Sequence, residues 1–162
     1  MSLPASFYLL LDERLPGLLA AAEPVKRTLF RKPADAFEPY LSEYARELPA
    51  FHFSGRAFLT LDLFLAEQGL GFSEAGSGQA SDALSRARGS YWQVIPAEAA
   101  RTLRAKLGGA ALDAEALSRF VASEYGPNEA QQGTEAVLAA FTALNAWLSE
   151  VPPGSSALLS LG

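Results

Sequence analysis

The chain has 162 residues, of which 49% are hydrophobic and 19% charged, and its net charge is −5. This length and composition are those of one folded globular domain. The chain has no cysteine and a single histidine, His52. These counts exclude disulfides, thiol catalysis, iron–sulfur clusters and the common zinc sites. A carboxylate site for magnesium or calcium stays open, but the chain has neither the Asp-x-Asp-x-Asp-Gly calcium loop nor the Gly-x-x-x-x-Gly-Lys-Ser/Thr phosphate loop. We expect neither a metal site nor a cofactor.

The net negative charge argues against a nucleic-acid partner, because Lys and Arg side chains supply most of the affinity for phosphates. Four basic residues cluster, at Lys26, Arg27, Arg31 and Lys32. We expect a solvated face there, and a local patch for an acidic partner is the alternative. No apolar run reaches the roughly 18–20 residues that span a bilayer. The N-terminus lacks the basic region of a secretory signal, so we predict a cytoplasmic protein without a membrane partner.

Short apolar runs and helical patterns alternate along the chain. The runs predict three β-strands, at about residues 6–11, 91–95 and 157–161. The first helix follows Asp12, which has the side chain of an N-cap. A second helix is predicted over residues 33–47. Pro39 stands either inside that helix or at its first position, where its missing N–H costs nothing.

Residues 55–67 form the most apolar helical pattern, with hydrophobic side chains in nearly every direction. Such a helix is expected to be buried on all sides. Residues 71–80 are rich in Gly and Ser and predict a flexible loop. Further helices are predicted over 97–107, after the N-cap Asp113, and over about 128–149. The whole pattern predicts a single α+β domain, in which five to six helices cover a small three-stranded sheet.

The first turns of the last predicted helix carry a polar face. Its residues are Glu129, Gln131, Gln132 and Glu135. We expect this face to be solvated. Gly133 lies within it, and either permits close contact with a neighbouring helix or marks Thr134 as the true start of the helix.

Several short motifs occur in a fixed order over nearly the whole chain. In the central helix, Arg56, Phe58, Leu61, Phe64 and Leu65 occupy the positions of a Lys-x-Trp-x-x-Leu-x-x-Leu-Leu pattern. Ile-Pro-Ala-Glu-Ala at 95–99 replaces Thr-Pro-Glu-Glu-Val, and Tyr-Gly-Pro at 125–127 replaces Tyr-Pro. A helix rich in Leu and aromatic residues and a closing apolar strand follow. In these features the chain resembles the YfbM-like family of bacterial proteins of unknown function.

The resemblance implies an α+β fold, a cytoplasmic bacterial setting and an interaction or immunity-type role. It supplies no catalytic residues. Where the family has aspartates before the central helix, this chain has Phe53 and Gly55, and Asp62 stands in place of a family histidine. These departures argue against a family-type polar site on this segment.

Five residues are candidates for a binding site: His52, Arg56, Asp62, Tyr91 and Trp92. His52 is either a general acid or base, or a half-buried histidine that fixes a loop. Arg56 and Asp62 are charged residues on an otherwise apolar helix, so each is either structurally paired or part of a ligand pocket. One of the two aromatic residues at 91 and 92 is expected in the core by alternation, and the other is a candidate surface anchor.

The sparse polar chemistry favours a non-catalytic protein-interaction or immunity-like module over an enzyme. A basic protein is its most concrete partner, contacted by the acidic surface and the loop at 71–80. The alternative is a small-molecule-binding protein or hydrolase that uses His52, Arg56 and Asp62, which must then share one pocket. The protein is expected as a monomer, or as a homodimer built on the aromatic-rich strands.

Overall fold

A four-stranded sheet lies at the centre of the molecule. The computed structural model describes residues 2–26, 29–30, 34–108 and 112–162. The strands are β1 (Ala5–Leu11), β2 (Arg46–Glu47), β3 (Tyr91–Pro96) and β4 (Ser155–Leu161). Their order is β2-β1-β4-β3, and every neighbouring pair is antiparallel. β4 is a central strand and all seven of its residues are buried, because helices cover both of its faces.

Helices pack on both faces of the sheet. They are α1 (Leu15–Ala22), α2 (Phe37–Tyr44), α3 (Arg56–Ala66), α4 (Gly78–Arg88), α5 (Ala97–Gly108), α6 (Ala114–Tyr125) and α7 (Ala130–Ser149). The smaller core joins one face of the sheet to α1, α2 and α4. The larger core joins the other face to α3, α5, α6 and α7. None of the helices described has both the length and the apolar character needed to span a bilayer.

The predicted α+β class is confirmed, but the predicted numbers of elements are wrong. The described residues form four strands instead of three, and seven α-helices instead of five to six. β2 was missed because it has only two residues, both exposed, and therefore no hydrophobic alternation. α4 was missed because it buries only Ala80, Ser81 and Leu84, so its apolar signal is about one side chain per turn.

Some local predictions also change. Asp12 does not cap α1, because its carboxylate accepts a hydrogen bond from Ser156 Oγ at 2.7 Å and so ties the end of β1 to β4. Asp113 does cap α6, since its Oδ1 accepts from Glu115 N at 3.0 Å. α2 is shorter than predicted, and Pro39 stands in its first turn, where backbone N–H groups lack helical partners. Three of the clustered basic residues, at 27, 31 and 32, lie outside the described residues.

The outer edge of β3 is covered by two serine side chains of α4 and by the backbone N–H of the residue before it. Trp92 N donates to Ser85 Oγ at 2.9 Å, and Val94 N donates to Ser81 Oγ at 2.9 Å. Ser77 N donates to the Val94 carbonyl at 2.8 Å. These bonds occupy the outward backbone groups that an edge strand otherwise offers to another strand. A second copy of the chain therefore finds no open edge at β3, and the oligomeric state stays a prediction.

Candidate functional site: the groove between α3 and α7

Of the five candidate residues, Arg56 is the one that lines the α3–α7 groove, and Trp92 lines a separate cleft of about 380 Å³. It stands at the first position of α3, and its guanidinium carbon lies 5.1 Å from the centroid of the Tyr125 ring at the end of α6. The Thr60 and Tyr125 hydroxyls form a hydrogen bond of 2.8 Å, and Thr60 Oγ1 also donates to the Arg56 carbonyl. Arg56, Thr60 and Tyr125 therefore join α3 to the end of α6 and form one wall of the groove.

The α3–α7 groove has a volume of about 530 Å³. Small apolar side chains form its floor: Ala57, Val121, Ala136 and Val137. Glu129, Gln132 and Glu135 of the last helix and its preceding turn supply polar groups, and Phe53 also lines the groove. The sequence predicts a solvated polar face at these three polar residues, and all three are exposed. The structure adds that this face borders a groove with an apolar floor.

Gly133 lets α6 and α7 approach closely under this groove. α7 begins at Ala130, so Gly133 does not mark the start of the helix. A Cβ at this position would lie 2.6 Å from Val121 Cγ1, which is inside any acceptable contact distance. The prediction that Gly133 permits close helix contact is therefore confirmed.

Asp62 belongs to a different part of α3. Its Oδ1 accepts from Ser73 N at 3.0 Å, and Gln93 Nε2 donates to the Ser73 carbonyl at 3.0 Å. The half-buried Tyr91 donates to Gln93 Oε1 at 3.2 Å. Burial, with a smaller contribution from Asp62, raises the pKa of Tyr91 to about 12. Asp62 and Tyr91 thus help to hold the segment before α4 against the sheet.

The segment predicted as a flexible loop has several anchors. Residues 78–80 form the first turn of α4, and Phe72 is fully buried. Ser73 is held on both its N–H and its carbonyl, and Ser77 N is bonded to β3. The mobility of this segment stays a prediction, but these bonds limit its use as a free contact loop.

Trp92 lies in the smaller core, and His52 lies on the surface. Trp92 is 5% exposed and meets the Phe37 ring edge-on at 5.3 Å, so it is the core member of the aromatic pair at 91 and 92. His52 is exposed. Neither His52 nor Asp62 lines the groove that contains Arg56, so this groove does not unite the three residues of the enzyme alternative.

Two features are not predicted from the sequence: the exposure of Leu59 and Leu63 on α3, and the contact of Tyr125 with Thr60 in the groove wall. The prediction that the helix at 55–67 is buried on all sides is wrong, because Leu59 and Leu63 are 36% and 52% exposed. The surplus of apolar residues on this helix was the signal, and burial alone was inferred from it. The sequence presents Tyr125 only within the Tyr-Gly-Pro motif at 125–127, because nothing in the sequence links it to Thr60 on α3.

Comparisons with known proteins identify no family for this chain. No family model matches the chain, and neither a curated protein nor a solved structure is detectably similar to it. The resemblance to the YfbM-like family rests on the motifs given above and stays a prediction. Among the described residues, no three Asp, Glu or His side chains lie close enough together to hold a metal ion.

Proposed function

We propose that this chain is a non-catalytic protein-interaction module, which binds a segment of a basic partner protein in the α3–α7 groove. One observation carries the proposal. The α3–α7 groove has an apolar floor and is lined by two carboxylates and by the exposed Phe53. On α3, the exposed Leu59 and Leu63 share the helix face of Arg56, which also lines the groove. An apolar anchor flanked by Lys or Arg is the complementary chemistry.

The apolar part of the surface consists of Phe53, Leu59 and Leu63, which are 39%, 36% and 52% exposed. Leu59 and Leu63 are four residues apart and therefore share one face of α3, next to Arg56. Grouped large apolar side chains on a surface favour a protein contact, because their burial removes apolar area from water. The groove floor offers further apolar area to a partner side chain that enters it.

The charged part of the surface consists of Glu129 and Glu135, against the single guanidinium of Arg56. Within the described part of the chain, neither glutamate forms an ion pair. Arg56 lies against the Tyr125 ring instead. The groove therefore has an excess of negative charge, like the chain as a whole at −5. Basic side chains of a partner are attracted to such a surface, and salt weakens that attraction.

The most concrete version is an immunity-like role in a bacterial cytoplasm, in which the module neutralises a basic protein. The sparse polar chemistry of the chain supports binding over catalysis. The hydrolase alternative gains no support from the groove, which holds Arg56 without His52 or Asp62.

Selection from a displayed library of random peptides tests this proposal without a known partner. The wild-type chain is the bait, and each selected peptide is then synthesised and titrated by fluorescence anisotropy. We expect peptides with one Leu or aromatic anchor and several Lys or Arg residues. The Gln132→Trp variant fills the groove and should weaken their binding by about tenfold or more.

Gln131→Trp is the matched control, because Gln131 is an exposed neighbour that does not line the groove. It should leave the affinity of the peptides unchanged. Selected peptides that bind Gln132→Trp as well as they bind the wild type would contradict the proposal. So would a selection that yields only acidic peptides.

A further inference from the structure

A separate cleft, the arginine cleft, lies between α5 and the end of α7. It has a volume of about 530 Å³, and Arg101 and Arg104 of α5 and Ser149 of α7 supply its polar groups. The rest of its lining consists mostly of small and apolar residues, among them Leu148, Val151 and Pro153. No Asp or Glu lines it, and it shares no residue with the α3–α7 groove.

The two arginines of this cleft differ from most of the arginines in the described part of the chain. Five others each contact a carboxylate or an aromatic ring: Arg14 on Tyr44, Arg46 on Glu150, Arg56 on Tyr125, Arg88 on Asp35 and Arg119 on Glu115. Arg101 and Arg104 form no ion pair and no ring contact with any described residue. Arg86 on α4 also forms no ion pair or ring contact with a described residue, but it lines neither the arginine cleft nor the α3–α7 groove.

Arg101 and Arg104 are three residues apart, so their side chains leave α5 on the same face. Two like charges at this spacing repel each other. An anion between the guanidinium groups would remove that repulsion and accept hydrogen bonds from both of them. Guanidinium groups match phosphate well, because their planar N–H groups can bond two oxygens at once.

We propose that the arginine cleft binds a small phosphomonoester with an apolar body. A phosphomonoester carries close to two negative charges at neutral pH, and these balance the two positive charges of the guanidinium groups. The phosphate then lies between Arg101 and Arg104, and the apolar body lies against Leu148, Val151 and Pro153. This site is independent of the partner proposed for the α3–α7 groove.

Titration of the ¹⁵N-labelled full chain with phenyl phosphate tests the site. We expect saturable shifts of backbone amides on α5 and at the end of α7, with the largest near Ala105 and Ser149. Inorganic phosphate lacks the apolar body and should bind about tenfold or more weakly, and phenol lacks the charge and should cause no saturable shift. Absence of saturable shifts with phenyl phosphate up to about 10 mM would overturn the proposal.

Variants separate an anion site from a purely structural role. Arg101→Gln combined with Arg104→Gln should lower the affinity for phenyl phosphate by about tenfold or more, and Arg86→Gln should not change it. If the two arginines act only on the carbonyl groups at the end of α7, the double variant will lose stability and the wild type will bind no anion. That result would also overturn the proposal.

The phosphate could belong to a lipid headgroup or to a soluble ester, and vesicles that contain phosphatidic acid distinguish these two sources. Co-sedimentation that disappears in the Arg101→Gln/Arg104→Gln variant assigns the phosphate to a lipid headgroup. Binding of phenyl phosphate without co-sedimentation assigns it to a soluble ester. Equal co-sedimentation of the wild type and the double variant, with no phenyl phosphate binding, excludes the cleft as the site.

Discussion

The Ser85 hydroxyl forms two hydrogen bonds with the backbone of Trp92, accepting from its N–H at 2.9 Å and donating to its carbonyl at 3.1 Å. Ser81 Oγ accepts from Val94 N one turn earlier on α4. α4 covers the edge of β3 with serine side chains, because the backbone groups of the helix already bond to each other. The edge strand β3 is thereby closed to pairing with other chains.

Ser85→Ala should destabilise the fold, because it leaves two backbone groups of the buried Trp92 without their partner. We expect a loss of about 2 kcal/mol in the free energy of unfolding. Urea unfolding followed by tryptophan fluorescence measures it. Ser42→Ala, at an exposed serine of α2, should stay within about 0.5 kcal/mol of the wild type. Equal stability of the two variants would show that water replaces the Ser85 hydroxyl without cost.

Gly133→Ala should also be destabilising, although alanine is the better helix former by about 1 kcal/mol. The added Cβ would lie 2.6 Å from Val121 Cγ1, so α6 and α7 must move apart. We expect a net loss of about 1–3 kcal/mol in urea unfolding. Gly78→Ala is the control, because a Cβ at Gly78 meets no atom within 4 Å.

A double-mutant cycle checks that Val121 is the cause. Val121→Ala removes the methyl groups that clash, at the cost of a small cavity. The double variant should therefore be more stable than the sum of the two single losses predicts, by about 1 kcal/mol or more. If the losses of the two single variants simply add in the double variant, the strain of Gly133→Ala does not come from its contact with Val121.

The stability of the fold should fall at high pH because of Tyr91. Burial, followed by the charge of Asp62, raises the pKa of Tyr91 to about 12 in the folded chain. An unfolded tyrosine ionises near pH 10, so stability is complete below about pH 10 and decreases as the pH rises toward 12. Relative to Tyr91→Phe, the wild type should lose up to about 2 kcal/mol over this range. Parallel pH profiles of the two proteins would contradict the shifted pKa.

The main strands and most helices could be predicted from sequence because each has a strong local signal. Asp113 has the side chain of an N-cap and caps α6, and β1, β3 and β4 are dense apolar runs. β2 and α4 gave no such signal, since their formation depends on neighbours. Arg46 and Glu47 of β2 pair with β1, and Ser81 and Ser85 of α4 bond to β3.

The candidate site could be predicted only in part. Arg56 was singled out as a charge on an apolar helix, and it does line the groove. Its contact with Tyr125, 69 positions further along the chain, depends on how α6 packs against α3. The exposure of Leu63 was missed for a related reason: hydrophobicity indicates that a side chain favours burial, but not whether this chain or a partner buries it.

The most direct test of the groove proposal is the dissociation constant of one selected basic peptide, measured for paired charge reversals. Glu129→Lys with Glu135→Lys reverses the groove, and Glu13→Lys with Glu23→Lys makes the same change in net charge near α1. We predict that the groove pair weakens binding by about tenfold or more and flattens its salt dependence, whereas the α1 pair changes the constant less than about threefold. Equal effects of the two pairs, or no effect of the groove pair, would contradict the proposal.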